Sequence, residues 1–178
     1  MKKTIITVVL LGLIAPAMVW AQDFQMNGTV LVKYNGKAAN VTIPAGVTSI
    51  GEEAFSHTSL TSITIPSSVT AIGDYAFSAC RSLTSITIPS SVRTIGEGAF
   101  YECTSLASIT IPSSVTSIGY QAFYECTSLT SITIPSSVRT IGDYAFNDCE
   151  RLTSVTVSRK TTIGQDAFPS TARITYSD

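Results

Sequence analysis

Apolar and polar positions along most of this chain follow a pattern that restarts every 23 residues. One unit, residues 83–103, reads Leu, two polar residues, Ile, one polar residue, Ile-Pro, then Val, Ile-Gly, Ala-Phe and Cys at fixed intervals. The first position of successive units is occupied by Leu60, Leu83, Leu106, Leu129 and Leu152. A fixed period in the twenties is typical of a solenoid, in which each unit buries its apolar face only against its neighbours.

Each unit is predicted to contain two extended segments and one compact turn. Residues 83–88 are rich in β-branched side chains and favour a strand, which Pro89 ends because proline has no N–H for a ladder. Residues 92–95 predict a second, shorter strand, and Gly96 is predicted to form a corner with positive φ. Residues 98–103 are predicted to form about one and a half helical turns that begin beside an acidic residue.

These elements predict an α/β fold, a right-handed leucine-rich-repeat solenoid of about six coils. We expect a parallel β-sheet on one face, and short second strands and short helical turns on the others. Stacking places equivalent residues about 4.8 Å apart, so each inward position becomes a column of like side chains.

Both ends of the repeat are predicted to carry distinct caps. A β-hairpin is expected over residues 22–37, with its turn at Asn35–Gly36, because both residues tolerate positive φ. The repeats are expected over residues 38–168, and a C-terminal cap strand over residues 169–178. Atypical terminal units are what a solenoid needs to cover the ends of its core.

Residues 1–21 are predicted to be a secretory signal peptide. Lys2–Lys3 precede an apolar run over residues 4–15, which is too short to span a bilayer, and a cleavage site is expected after Ala21. A permanent membrane anchor is the alternative, but the run is short and Pro16 follows it. We therefore expect no transmembrane segment after cleavage and a protein that is secreted, held at the cell surface or kept in the periplasm.

Composition excludes several classes of function. The chain has 178 residues, a net charge of −1 and only 13% charged residues, so nothing favours nucleic acid or an anionic membrane surface. His57 is the only histidine, and the sequence contains no Gly-x-Ser-x-Gly elbow and no phosphate loop. We expect no enzyme activity, no catalytic residues, no metal site and no cofactor.

The cysteines repeat with the rest of the unit, at Cys80, Cys103, Cys126 and Cys149. Their spacing matches no metal-binding motif, so we expect buried, reduced thiols. Stacking brings neighbouring Cα atoms within the range of a disulfide, so pairing of Cys80 with Cys103 and of Cys126 with Cys149 remains an alternative.

Glu102, Glu125 and Asp148 directly precede three of these cysteines and are predicted to form an acidic column. A solvated, charged face is the expected role of this column. The alternative is a calcium site, although ligands from one side only would coordinate the ion poorly.

The unit Leu-x-x-Ile-x-Ile-Pro-x-x-Val-x-x-Ile-Gly-x-x-Ala-Phe-x-x-Cys resembles the bacterial BspA-like, or Treponema-type, leucine-rich repeat. Ser91 and its equivalents stand where the commonest leucine-rich repeats have Asn, a departure that fits this subclass. The resemblance implies an extracellular or cell-surface protein, similar to adhesins that bind host matrix proteins such as fibronectin and fibrinogen, or other bacteria.

The candidate partner-binding residues lie on the predicted surface. Tyrosine is favoured in contacts because it offers area and a hydrogen bond at low entropic cost. The candidates are Tyr75, Tyr101, Tyr120, Tyr124 and Tyr144 beside the predicted helical turns, Arg93 and Arg139 on the second wall, and the outward Thr87, Thr110 and Thr133. The alternative for the arginines is plain surface decoration, and the alternative for the hydroxyl groups is solubility.

Export, a solenoid core and the absence of an active-site motif lead to one functional hypothesis. The chain is predicted to be a non-catalytic module that presents a repeated face to a protein or glycan ligand, in the manner of an adhesin. The alternative is a periplasmic structural scaffold or spacer without a host ligand, and an enzyme inhibitor is a third candidate. The oligomeric state is left open by the sequence.

Overall fold

Fifteen short strands wind into a parallel-strand β-solenoid in the computed structural model, which describes residues 23–177. The solenoid has about seven turns, one more than predicted. The additional turn is the final strand, which was predicted as a cap and instead pairs with the preceding strand of the stack. The signal peptide predicted for residues 1–21 lies outside the described residues.

The longest sheet is built from the second, shorter extended segment of each unit. Its neighbouring strands are parallel and in register after the first pair, so that Ser117 pairs with Thr94 on one side and with Thr140 on the other. In spatial order its eight strands are β1 (Phe24–Asn27), β2 (Val30–Tyr34), β4 (Ser49–Ile50), β6 (Ala71–Ile72), β8 (Thr94–Ile95), β10 (Ser117–Ile118), β12 (Thr140–Ile141) and β14 (Thr162–Ile163).

The first extended segments form a second face made of two shorter parallel sheets, which we call the Ser/Thr sheets. One contains β3 (Asn40–Thr42), β5 (Ser62–Thr64), β7 (Ser85–Thr87) and β9 (Ser108–Thr110), and the other contains β11 (Ser131–Thr133), β13 (Ser154–Ser158) and β15 (Arg173–Ser177). The sheet predicted for this face is therefore divided between β9 and β11. The final strand, β15, pairs with β13 along its whole length and covers the C-terminal end of this face.

The N-terminal cap is a hairpin, but its turn is not at Asn35–Gly36. Strands β1 and β2 pair antiparallel, and the turn between them contains Gly28 with a φ of 62°. The prediction of a turn at Asn35–Gly36 is wrong, because the chain there leaves the eight-stranded sheet and enters the Ser/Thr face. Glycine is required at position 36 for a steric reason, because a Cβ there would lie 2.3 Å from the hydroxyl oxygen of Tyr34.

The predicted helical turns are also wrong. Residues 97–102 form successive turns, and no helix occurs within residues 23–177. The Phe100 N–H donates to the Ala122 carbonyl of the next coil at 2.7 Å, while the Cys103 N–H donates back to the Phe100 carbonyl at 3.1 Å. A helix requires its amides for bonds within the segment, so this bonding between coils excludes it. Consequently no helix in the described part of the chain is long and apolar enough to cross a membrane.

The core consists of the predicted columns of apolar side chains. All five repeated leucines are fully buried, and so are the phenylalanines of the inner coils. Rings in the phenylalanine column from Phe55 to Phe168 stack with centroids 4.9–5.3 Å apart. Tyr34 and Phe24 continue this column into the hairpin at 5.3 and 5.2 Å. The cap thus covers the core with the same kind of side chain that fills it.

The repeated glycine that follows the second strand permits close contact between coils. Gly96 was predicted to have positive φ, and this is wrong, since positive φ among the described glycines occurs at Gly28, Gly46 and Gly98. A Cβ on Gly96 would instead lie 2.7 Å from the carbonyl carbon of Gly73, and one on Gly119 would lie 2.6 Å from that of Gly96. Glycine recurs here because the neighbouring backbone leaves no room for a side chain.

The serine that stands where other leucine-rich repeats have Asn connects successive coils at Ser68, Ser91 and Ser114, whereas the equivalent Ser137 hydroxyl is buried without a hydrogen bond within residues 23–177. Ser91 donates its hydroxyl to the Val69 carbonyl at 2.5 Å, and Ser114 donates to the Val92 carbonyl at 2.6 Å. Since the coils are close, a hydroxyl group on Cβ is long enough to reach the backbone of the preceding coil. Serine therefore satisfies a carbonyl that would otherwise lack a partner.

Candidate partner-binding faces

Charged side chains are distributed unevenly among the three faces of the solenoid, and most acidic residues lie on one face. We call residues 52–59, 74–82, 97–105, 120–128, 143–151 and 165–169, which follow each repeated glycine, the turn face. Ten of the 12 Asp and Glu residues lie on the turn face, and the other two are Asp23 and Asp178. The strands of the Ser/Thr sheets carry one charged residue, Arg173. From β2 to β14, the strands of the eight-stranded sheet and the residues that precede them carry only Lys33, Arg93 and Arg139.

The turn face holds all five predicted tyrosines, and four of them form two aromatic pairs. Tyr101 and Tyr124 stack in adjacent coils, with ring centroids 5.1 Å apart and planes inclined by 8°. Tyr120 meets Tyr144 edge to face at 6.0 Å. Tyr120 is 40% exposed, one of the most exposed large apolar side chains in the described part of the protein. The turn face thus presents two aromatic pairs.

Tyr75, the fifth tyrosine of the turn face, packs against the neighbouring coil. Its hydroxyl donates to the Glu97 carboxylate at 2.6 Å, and this hydrogen bond, together with burial, raises the pKa of Tyr75 to about 12. A Cβ on Gly98 would lie 2.3 Å from the Tyr75 ring. The phenol of Tyr75 is therefore held in place by contacts with its own chain.

The predicted acidic column lies beside the stacked tyrosines. Burial and the charges of Glu102 and Asp148 raise the pKa of Glu125 above its ordinary value. A hydrogen bond to Asp148 is the main cause that raises the pKa of Tyr124 to about 12. Arg81 forms an ion pair with Glu102 at the edge of the column. Over residues 23–177 no three His, Cys, Asp or Glu side chains are placed to hold a metal ion, so the calcium alternative gains no support.

The cysteines are free and buried, and none of the considered disulfides is formed. The Cys103 thiol donates to the Phe77 carbonyl at 3.2 Å, and its three equivalents make the same contact. Burial raises the pKa of Cys103 well above the usual range of a thiol, which keeps it protonated and able to donate. In the first coil Thr58 occupies this position and donates to the Phe55 carbonyl at 2.8 Å. The column therefore supplies hydrogen-bond donors to the backbone.

The remaining candidate residues are exposed on the other two faces. Thr87, Thr110 and Thr133 end successive strands of the Ser/Thr sheets, and their hydroxyls make no hydrogen bond within residues 23–177. Arg93 and Arg139 are exposed immediately before β8 and β12. The structure thus distributes the candidates over three separate faces, and only the tyrosines come together as a cluster. A binding role for each of them stays a prediction.

Comparison with solved structures identifies bacterial leucine-rich repeat proteins. The T. pallidum leucine-rich repeat protein is 31% identical with a TM-score of 0.74, and the match covers 86% of this chain and 84% of that one. A leucine-rich cell surface protein from Faecalibacterium prausnitzii is 32% identical with a TM-score of 0.68, and here the coverage is 86% and 52%. A leucine-rich repeat protein from Eubacterium ventriosum is 28% identical with a TM-score of 0.71, at 87% and 49% coverage. This chain spans about half the length of the latter two.

A search of curated proteins finds no match. The family model of the BspA-type leucine-rich repeat region matches six copies, over residues 32–119 and 70–177. That model describes a repeat scaffold and indicates no catalytic family. Together the two matched ranges include nearly every residue that the structure describes. On this evidence the chain belongs to the BspA-type leucine-rich repeat family.

Proposed function

We propose that this chain is an exported, non-catalytic module of the bacterial surface that binds a protein partner through its turn face. The observation that carries the proposal is the stacked pair of Tyr101 and Tyr124, which lies beside carboxylates and near the exposed Tyr120. Tyrosine offers a large contact area and loses little side-chain entropy on binding, and it is enriched among the residues that dominate interface energies.

The scaffold under these tyrosines supports the proposal. The N–H of Glu102 donates to the Tyr124 carbonyl at 2.8 Å, and the N–H of Glu125 donates to the Asn147 carbonyl at 3.1 Å. Fully buried phenylalanines lie directly beneath this segment. A surface that is already ordered before binding loses less conformational freedom when it meets a partner.

The relatives support the cellular location. The F. prausnitzii protein, which is 32% identical, is named a cell surface protein. A surface location is also consistent with the signal peptide predicted from the sequence. Host matrix proteins are the first ligands to screen, because the family resemblance in the sequence implies adhesins that bind fibronectin and fibrinogen.

A pull-down with the mature chain, residues 22–178, tests this proposal against fibronectin, fibrinogen and surface extracts of other bacteria. The test variant carries Tyr101→Ala, Tyr120→Ala and Tyr124→Ala. A matched control carries Thr87→Ala, Thr110→Ala and Thr133→Ala on the Ser/Thr sheets. We expect the tyrosine variant to lose capture while the threonine variant retains it, and both to keep the far-UV spectrum of the parent chain.

Two results would contradict the proposal in different ways. If only the threonine variant loses capture of the partner, the binding surface lies on the Ser/Thr sheets and not on the turn face. Failure to find any saturable partner, combined with protection from added protease on intact cells, would favour a periplasmic scaffold or spacer without a host ligand.

A further inference from the structure

We propose that copies of this chain associate side by side, with the arginine face of one copy against the turn face of the next. The arginine face is the part of the eight-stranded sheet that presents Arg93 and Arg139. The only ion pair within residues 23–177 joins Arg81 to Glu102, so Arg93 and Arg139 have no carboxylate partner in the described part of the chain. Ten carboxylates meanwhile lie on the turn face.

Because both charged faces are built from the same coils, each arginine lies in the same coil as an acidic residue of the turn face. Arg93 shares a coil with Glu102, and Arg139 shares a coil with Asp148. The two arginines are two coils apart, and so are the two acidic residues, a separation of roughly 10 Å along the axis in each case. A second copy that lies parallel, with no shift along the axis, therefore places each arginine at the level of an acidic residue. Glu125 falls between these two levels and is close to both.

The turn face offers the two chemical groups that a guanidinium prefers. Arginine pairs with carboxylates through a planar set of donors and stacks on aromatic rings. This chain already shows both contacts within itself, since Arg81 pairs with Glu102 and Arg159 lies 5.4 Å above the centre of the Tyr176 ring. The carboxylates of Glu102, Glu125 and Asp148 repel one another, and an arginine from a neighbour relieves that repulsion.

Such an interface is heterologous, because the two contacting faces differ. Heterologous contacts generate closed rings or open rows of molecules. Exposed ion pairs are individually weak and are screened by salt, so the association depends on protein concentration and on ionic strength. This interface also covers the face that we propose for a protein partner, so partner binding and self-association compete.

Sedimentation velocity of the mature chain with two charge-reversed variants tests the proposal. The first variant, Arg93→Glu with Arg139→Glu, makes both charged faces acidic. The second, Glu125→Lys with Asp148→Lys, reverses part of the turn face. We expect the parent chain to sediment faster as its concentration rises at low salt, and as a monomer at high salt. Each variant alone stays monomeric, and an equimolar mixture associates more strongly than the parent.

Control variants separate a specific interface from net charge and from misfolding. Lys37→Glu with Arg173→Glu changes the net charge by the same amount outside the arginine face, and it should associate like the parent. Arg93→Thr with Arg139→Thr introduces the residue that stands at the equivalent Thr70 and Thr116, and it should stay folded and monomeric. A parent chain that stays monomeric at every concentration in low salt would overturn the proposal. So would a mixture of the two charge-reversed variants that does not associate, or a Lys37→Glu/Arg173→Glu control that loses self-association as fully as the arginine variant. Because no partner is present, these results are independent of the proposed ligand binding.

Discussion

The backbone conformation of single residues in this protein depends on hydrogen bonds to the coil before or after them, and not only on their sequence neighbours. Among residues 23–177, ten residues other than glycine have positive φ, in two columns that include Gln121 and Glu125. A left-handed conformation costs about 1–2 kcal/mol for an L-residue. In this structure it directs an amide towards the next coil, as when the Gln121 N–H donates to the Asp143 carbonyl at 3.0 Å. Strain within one residue is therefore offset by a hydrogen bond between coils.

The glycine column gives the first prediction at this scale. Gly119→Ala should lower the free energy of unfolding by about 1–3 kcal/mol, the usual cost of overpacking a close contact. The added Cβ would lie 2.6 Å from both the carbonyl carbon and oxygen of Gly96. Urea unfolding monitored by circular dichroism measures the change. Ser113→Ala, on an exposed position of the same coil, is the control, and equal stability of the two variants would disprove the close contact.

Glu125 gives a prediction that depends on pH. Its pKa is raised in the folded state, so the stability that its protonated form contributes is present below the unfolded pKa, about 4.3, and is lost as pH rises through the folded value. Glu125→Gln should therefore stabilise the protein at neutral pH by about 0.5 kcal/mol, typical of like charges on neighbouring strands, and have little effect at pH 3.

Thermal melts at low ionic strength measure this difference between pH 3 and pH 7. Glu52→Gln serves as the control, because Glu52 is an exposed carboxylate of the first coil, distant from the column. If Glu125→Gln is destabilising at neutral pH, the carboxylate makes a favourable contact and the repulsion within the column is not the dominant effect.

At the scale of elements, the sequence predicts which side chains point inward but not which backbone bonds hold the turn. The 23-residue period places Phe100 and Cys103 in buried columns, and both are fully buried. Short segments such as residues 98–103 are compatible with a helix, because local spacing cannot reveal that alternate amides donate to the next coil. Likewise Asn27–Gly28 and Asn35–Gly36 give the same hairpin signal, but the antiparallel pair turns at Gly28, whereas the chain leaves the sheet after Tyr34. The tyrosine cluster was predicted as separate surface residues, since their pairing depends on the stacking of coils.

The phenylalanine column gives a prediction at this scale. Phe123→Ala should destabilise the protein by about 3–5 kcal/mol, because the ring is fully buried and its removal leaves a cavity in the core. Its ring stacks on Phe100 at 5.0 Å and on Phe146 at 4.9 Å. Phe168→Ala is the matched control, because Phe168 ends the column and is only partly buried, so a smaller loss is expected. Calorimetric melts compare the two, and a larger loss at Phe168 would show that the terminal coil, rather than the middle, limits stability.

For the whole molecule, stability is distributed along one dimension. Each coil contacts only the coil before it and the coil after it, as shown by pairing of β10 with β8 and β12 alone. In such an array the free energy of unfolding is approximately a sum of unit and interface contributions. The ends differ from the interior, since the hairpin covers one end with Phe24 and Tyr34 while β15 covers the Ser/Thr face at the other.

The one-dimensional arrangement predicts that a whole coil can be removed. Deleting residues 106–128 joins Ser105 to Leu129, which recreates the junction of Ser105 with Leu106 and keeps every column in register. The shortened chain should fold cooperatively and lose roughly 1–3 kcal/mol of stability, in proportion to its length. Deleting residues 106–117, about half a unit, is the control, and it should abolish cooperative unfolding because side chains of one column then face those of another. Urea unfolding of both chains makes the comparison. Equal behaviour would mean that the 23-residue unit is not the structural unit of the coil.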